Sequence, residues 1–169
     1  KDLTLIISDF KSGGTQKVVS QLIESLSFKK INLIVLGETK SLKNKKKISL
    51  IKLNLQKQTD GIFDALKNNL KILINIRNCL KKSDSKNVIS FIYETNILTI
   101  LSSIGLNKRI IISERNNPYF QKKSIIWNTL RLIVYPMADK IVVNSYFAYD
   151  YLSKFVRSKK LIYIENSIS

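Results

Sequence analysis

The stretch Leu3-Thr4-Leu5-Ile6-Ile7-Ser8-Asp9-Phe10-Lys11-Ser12-Gly13-Gly14-Thr15-Gln16-Lys17-Val18-Val19 sets the architecture of the chain. An apolar run at 3–7 meets a double glycine, after which Val18, Val19, Leu22, Ile23 and Leu26 recur at helical spacing. Strand, glycine turn and helix together aim backbone N–H groups and a helix N-terminus at an anion.

The unit repeats downstream. Residues 31–36 and 48–53 read as strands, and 60–82 is the longest helical pattern, with Asp64 near its start and Lys81 and Lys82 at its end to match the helix dipole. Ile62, Leu66, Leu73, Ile76 and Leu80 are its expected core face. Strand patterns at 87–92, 109–113, 140–143 and 161–164 alternate with helical ones at 95–104, 123–135 and 146–155. Gly105 and Pro136 act as stops and Ser145 as an N-cap. Helical segments between strands are crossover connections. The expected fold class is therefore α/β: one domain, 1–169, with a Rossmann-like, mostly parallel sheet of about seven strands and helices on both faces.

The chain has 169 residues, 44% of them hydrophobic, enough for one core. Lys plus Arg number 29 against 12 Asp plus Glu, a net charge of +17 that favours anionic partners and says little about fold. Heavy use of isoleucine, lysine and asparagine makes part of that charge a matter of composition. With no histidine and the single Cys79, zinc clusters and Ser-His or Cys-His nucleophiles are excluded, so neither a metal nor a cofactor is expected. Cys79, between Ile76 and Leu80, reads as a buried, inert thiol. The apolar stretch 125–138 is broken by Asn128, Arg131 and Pro136 and is shorter than the ~20 residues that span a bilayer. No signal peptide is visible, and Lys1 in place of Met suggests a trimmed start; a soluble, cytoplasmic protein is the expectation.

In open parallel sheets, ligands bind beyond the carboxyl ends of the strands. The polar residues expected there are 9–15, 93–96, 114–117 and Asn144-Ser145, four loops converging on one edge. The glycine loop is neither G-x-G-x-x-G nor a Walker A sequence, and by itself it is as consistent with packing as with a ligand. On the longest helix Lys67, Lys71, Lys81 and Lys82 fall within a wedge roughly 100° wide, either a solvated face or a strip facing phosphate or membrane. Residues 40–47 hold five lysines and read as a solvated loop.

Five motifs in order resemble the amino-terminal half of family-four glycosyltransferases with the GT-B fold. Ser12-Gly13-Gly14-Thr15-Gln16-Lys17-Val18-Val19 is similar to their "S-G-G-A-E-R-V-V". Ile89-Ser90-Phe91 with Thr95-Asn96 is similar to their fourth-strand region. Ile112-Ser113-Glu114-Arg115-Asn116-Asn117-Pro118 is similar to "S-E-H-x-N-P", with Arg115 where the family has His. Ala138-Asp139-Lys140-Ile141-Val142-Val143-Asn144-Ser145 resembles "A-D-x-I-x-x-x-S". Residues 164–169 resemble the "I-P-N-G-I-D" hinge, with Glu165, Ser167 and Ser169 at the Pro, Gly and Asp positions. Within that family the chain resembles bacterial enzymes that add N-acetylgalactosamine or similar sugars to a polyprenyl-diphosphate-linked oligosaccharide, with lipooligosaccharide transferases next.

The resemblance implies retaining transfer of a sugar from a nucleotide-sugar, UDP-linked by preference, to a saccharide or lipid-linked acceptor in bacterial surface glycan synthesis. It implies catalytic roles for Glu114 and Arg115. Ser12, Gly13, Gly14, Thr15, Asn96, Asn117, Asn144 and Ser145 would bind substrate. Lys67, Lys71, Lys81 and Lys82 would face the acceptor diphosphate and an anionic membrane, placing the protein on the inner face of the cell membrane. A carboxyl-terminal donor-binding domain, absent from this sequence, would complete the enzyme, so this half alone is expected to be inactive. The rival is a basic binding module without catalysis. A nucleic-acid partner is not expected, because no recognition motif appears and aromatics are not interleaved with the basic runs.

Overall fold

A computed structural model describes residues 2–10, 14–39, 47–55, 61–116, 119 and 124–165. The apolar runs form β1 (Asp2–Ile7), β2 (Lys30–Val35), β3 (Ile48–Lys52), β4 (Asn87–Phe91), β5 (Arg109–Glu114), β6 (Lys140–Val143) and β7 (Leu161–Tyr163). All pair in parallel, in the order β3-β2-β1-β4-β5-β6-β7. The expected α/β sheet is the observed one. Strand order reverses between β1 and β4, the point where such sheets open a ligand crevice.

Among the described residues five of the six connections carry an α-helix: α1 (Gly14–Ser25), α2 (Ile62–Lys82), α3 (Tyr93–Ser103), α4 (Ile125–Val134) and α5 (Tyr146–Ser153). Pleating divides β1, β2 and β4 between two cores, while β5, β6 and β7 contribute to one of them. Ile6, Ile34, Val88, Ile112, Ile141 and Val143 join the core under α2, α3, α4 and α5. Leu3, Leu5, Ile7, Leu33, Val35 and Phe91 join the core under α1. Burial on both faces explains why the strand sequences are continuously apolar rather than alternating.

Local signals work as read. Ser145 Oγ accepts a hydrogen bond from Ala148 N at 3.2 Å and caps α5. Gly105 takes φ +73° just past the end of α3. Pro136 ends α4 by turning the chain into a 3-10 segment, Tyr135–Met137. Cys79 is half-buried against the core, and burial pushes its thiol pKa up.

The expected core face of α2 needs correction. Ile72, Ile76 and Leu80 are buried, but Ile62 is 70% and Leu66 54% exposed. The apolar stripe runs beyond the core it was read as facing, because no other described element covers the first half of the helix. On the other side of the sheet α1 stops short of β5 and β6. Ile111 and Val142 are only half-buried there, at a hollow of about 310 Å³.

Candidate functional site

Because every strand is parallel, the loops that follow β1, β4, β5, β6 and β7 emerge at the same edge of the sheet. After β1 the chain is fastened sideways: Asp9 Oδ1 accepts from Glu38 N at 2.9 Å, and Phe10 N donates to Glu38 O. Gly14 then opens α1. A Cβ built on Gly14 would meet nothing within 4 Å, so no contact among the described residues demands glycine there. The first turn of α1 carries no acidic residue of its own to set against the positive end of its dipole. Thr15 is half-buried in that turn.

Arg115, following β5, is half-buried, and desolvation lowers its pKa. It lines the hollow beside α1 together with Gln21 and Glu165. Asn144 Nδ2 donates to Arg115 O at 3.4 Å, tying the β5 and β6 loops together. The structure thus gathers Gly14, Thr15, Arg115, Asn144 and Ser145 at the carboxyl edge. Ser12, Gly13 and Asn117 lie outside the described residues.

Two expected substrate-contacting residues point inward instead. Asn96 is fully buried: its Oδ1 accepts from Ser90 Oγ at 2.8 Å, and its Nδ2 donates to Ser113 O at 3.1 Å. Glu114 is fully buried too, accepting from Tyr135 Oη at 2.6 Å and from Asn116 N at 3.3 Å. Both side chains support the edge from beneath and present nothing to a ligand in this arrangement. Burial pushes the Glu114 pKa up, against the pull of Tyr135, Arg131 and Asn116.

Sequence reasoning did not find the partners of Glu114. Arg131 on α4 is only 1% exposed, its guanidinium 3.8 Å from the centre of the Tyr93 ring. Its position inside the apolar run 125–138, four residues before Tyr135, was the available signal. Nor was the turn after β4 foreseen. Ile92 holds φ 71° and ψ 139°, a conformation strained for a β-branched side chain, and α3 starts at once behind it.

The four lysines of α2 are all exposed. They do not form one cluster, since at 1.5 Å per residue Lys71 and Lys81 stand about 15 Å apart along the helix. Among the described residues no three acidic, histidine or cysteine side chains gather as a metal site, and no helix is long and apolar enough to cross a membrane.

No protein-family model matches the chain. It is 30% identical over 164 residues, 95% of its length, to the GalNAc-alpha-(1->4)-GalNAc-alpha-(1->3)-diNAcBac-PP-undecaprenol alpha-1,4-N-acetyl-D-galactosaminyltransferase of Campylobacter jejuni, of which it covers 45%. Sucrose-phosphate synthase of Thermosynechococcus elongatus superposes on all of it with a TM-score of 0.77 at 10% identity, over 49% of that chain. UDP-GlcNAc 2-epimerase of Methanocaldococcus jannaschii superposes with a TM-score of 0.65 at 14% identity, over 98% of this chain and 46% of its own. The chain spans about half the length of each of these three proteins, and its fold is that of the amino-terminal half of GT-B glycosyltransferases.

Proposed function

From that likeness we propose that the chain is the acceptor-side half of a glycosyltransferase that extends a lipid-diphosphate-linked saccharide. The observation that carries this reading is the 30% identity across 95% of the chain to a transferase whose name specifies an undecaprenol-diphosphate acceptor. The structural likenesses alone do not choose between transfer and epimerisation, since a synthase and an epimerase share the fold.

In this reading a UDP-linked sugar reacts with retention of configuration in a cleft closed by a second, carboxyl-terminal domain. The bond from C1 of the sugar to the diphosphate oxygen breaks, C1 bonds to the acceptor hydroxyl oxygen, and that hydroxyl's proton passes to the leaving diphosphate. Stabilising the departing charge is the largest task. The exposed Gly14 and the acid-free first turn of α1 suit a diphosphate or sugar reached by backbone N–H groups, with Ser12, Gly13 and Thr15 as the expected contacts. Arg115, Asn117, Asn144 and Ser145 meet sugar hydroxyls. Glu114 and Asn96 act one layer down, fixing the β5 loop through Tyr135 and Ser113. The exposed lysines of α2 suit an anionic membrane surface carrying the acceptor. This half alone turns over negligibly.

The decisive experiment uses the protein extended through its carboxyl-terminal half, incubated with UDP-N-acetylgalactosamine and a synthetic prenyl-diphosphate saccharide. Mass spectrometry should show the acceptor gaining one N-acetylhexosamine. Interconversion of UDP-sugars with an unchanged acceptor would overturn the reading in favour of epimerisation.

A further inference from the structure

A continuous rim of side chains runs from Arg115 to the edge strand. Asn144, which holds the Arg115 carbonyl, is followed by Ser145 and then by Tyr146, the first residue of α5. Ile164 N donates to Val143 O at 2.9 Å, so the chain leaving β7 lies beside the chain leaving β6. There the Tyr146 ring stacks on Tyr163, with centroids 4.3 Å apart and planes 25° from parallel. Tyr163 Oη donates to Glu165 Oε1 at 2.9 Å, and Glu165 lines the same hollow as Arg115 and Gln21.

The stack covers one face of Tyr146 and leaves the other to solvent. The residue is still 71% exposed with a ring against it, so the second face is open. Packing of α5 does not call for it, because Ala148 and Leu152 are the residues that helix buries. An aromatic ring held in one orientation, open on one side and set among polar side chains complements a ligand with one apolar face and a polar periphery. A pyranose has that form. Its C–H groups gather on a face of the ring and meet the electron-rich face of an aromatic side chain. Its hydroxyls both donate and accept; Glu165 accepts, Arg115 donates, and Asn144 can do either.

Other occupants fit less well. A nucleobase is flat and apolar on both faces, and a one-sided platform would leave half of it in water. An anionic bilayer would meet Glu165 and the exposed Asp150, which stands one turn along the same face of α5. Both carry the wrong sign.

We infer that Tyr146 is a stacking platform for a pyranose ring of the saccharide acceptor, with Glu165 and Arg115 taking hydroxyls at its edge. The assignment rests on the transferase reading above and adds the residue that reads the apolar face of the sugar.

Methyl α-N-acetylgalactosaminide carries neither nucleotide nor lipid, so it isolates the sugar. Saturation-transfer NMR with the chain should show transfer concentrated on the ring protons of a single face. Tyr146→Ala should weaken binding roughly fivefold, the range for losing one aromatic stack. Tyr146→Phe should restore it, since stacking needs the ring and not the hydroxyl. Phe147→Ala, which removes a ring 65% exposed at the next position, should leave binding unchanged.

No transfer to the glycoside, even transfer to both faces, or equal weakening by Tyr146→Ala and Phe147→Ala would each overturn the assignment. A Tyr146-dependent response to uridine monophosphate with none to the glycoside would overturn it in favour of a nucleobase. The protein extended through its carboxyl-terminal half separates this failure from failure of the transferase reading. Transfer with an unchanged acceptor KM in Tyr146→Ala sinks the platform and spares the reaction. One-faced, Tyr146-dependent sugar binding without transfer to any acceptor sinks the reaction and spares the platform.

Discussion

The two halves of α2 are built from the same residue types and meet opposite surroundings. Ile72, Ile76 and Leu80 are buried against the sheet; Ile62, Phe63, Leu66 and Leu70 stand in solvent beside a groove. Periodicity alone cannot separate them, because a 3.6-residue repeat reports which side of a helix is apolar and not what lies against it. The contrast marks where the core ends on one continuous helix.

The largest effect should come from the buried half. Ile76→Ala is expected to cost about 2–5 kcal/mol, the range for truncating a packed core side chain. Leu66→Ala should cost about 0.5 kcal/mol or less, as at exposed sites. Urea denaturation of both variants tests the division, and equal losses would erase it.

The same contrast holds for charge, between the solvated lysines of α2 and the buried Glu114. A carboxyl whose folded pKa lies above its unfolded value contributes stability that is fully present below the ordinary carboxylate range and is lost as pH rises through the folded pKa. Burial is the dominant cause of the rise at Glu114, with Tyr135 and Arg131 opposing it. Each unit of upward shift corresponds to about 1.4 kcal/mol. Glu114→Gln should therefore flatten the stability profile upward from the carboxylate range, where the parent declines. Parallel profiles would show that Glu114 ionises in the native state at no cost.

A smaller effect sharpens the comparison from another helix. Short α5 depends on the Ser145 cap, so Ser145→Ala should cost about 1 kcal/mol in thermal unfolding. Long α2 begins at Gly61, an N-cap position with no side chain to accept from the first turn. A loss at Ser145 well under that value would mean that packing of Ala148 and Leu152 carries α5 without its cap.

Element types and the parallel sheet were legible because strand and helix patterns alternate with crossover-length spacing. The expected third strand, 48–53, and observed β3, Ile48–Lys52, differ by one residue. The convergence of loops on one edge followed from parallelism and needed no coordinates. What remained hidden were relations across elements. Glu114 and Asn96 read as polar strand-end residues available to a ligand; their burial depends on Tyr135, Ser90 and Ser113, contributed by other elements. Arg131 read as an interruption of an apolar run, whereas the Tyr93 ring beneath its guanidinium lets it sit inside the core. Sequence spacing encodes period, and it carries no record of which distant side chain will arrive as a partner.

Ile92 joins the two faces of the molecule. A sheet keeps its two cores apart, and most of its side chains belong to one or the other; Ile92 packs against both, at the end of β4. Its N–H donates to Ser113 O on β5 at 3.3 Å, and its carbonyl receives the N–H of Asn96. The left-handed φ costs on the order of 1–3 kcal/mol, a tension that persists only while the surroundings hold the turn. In mechanical terms it is a pin: the same torsion is held by packing from the α1 side and from the α3 side of the sheet.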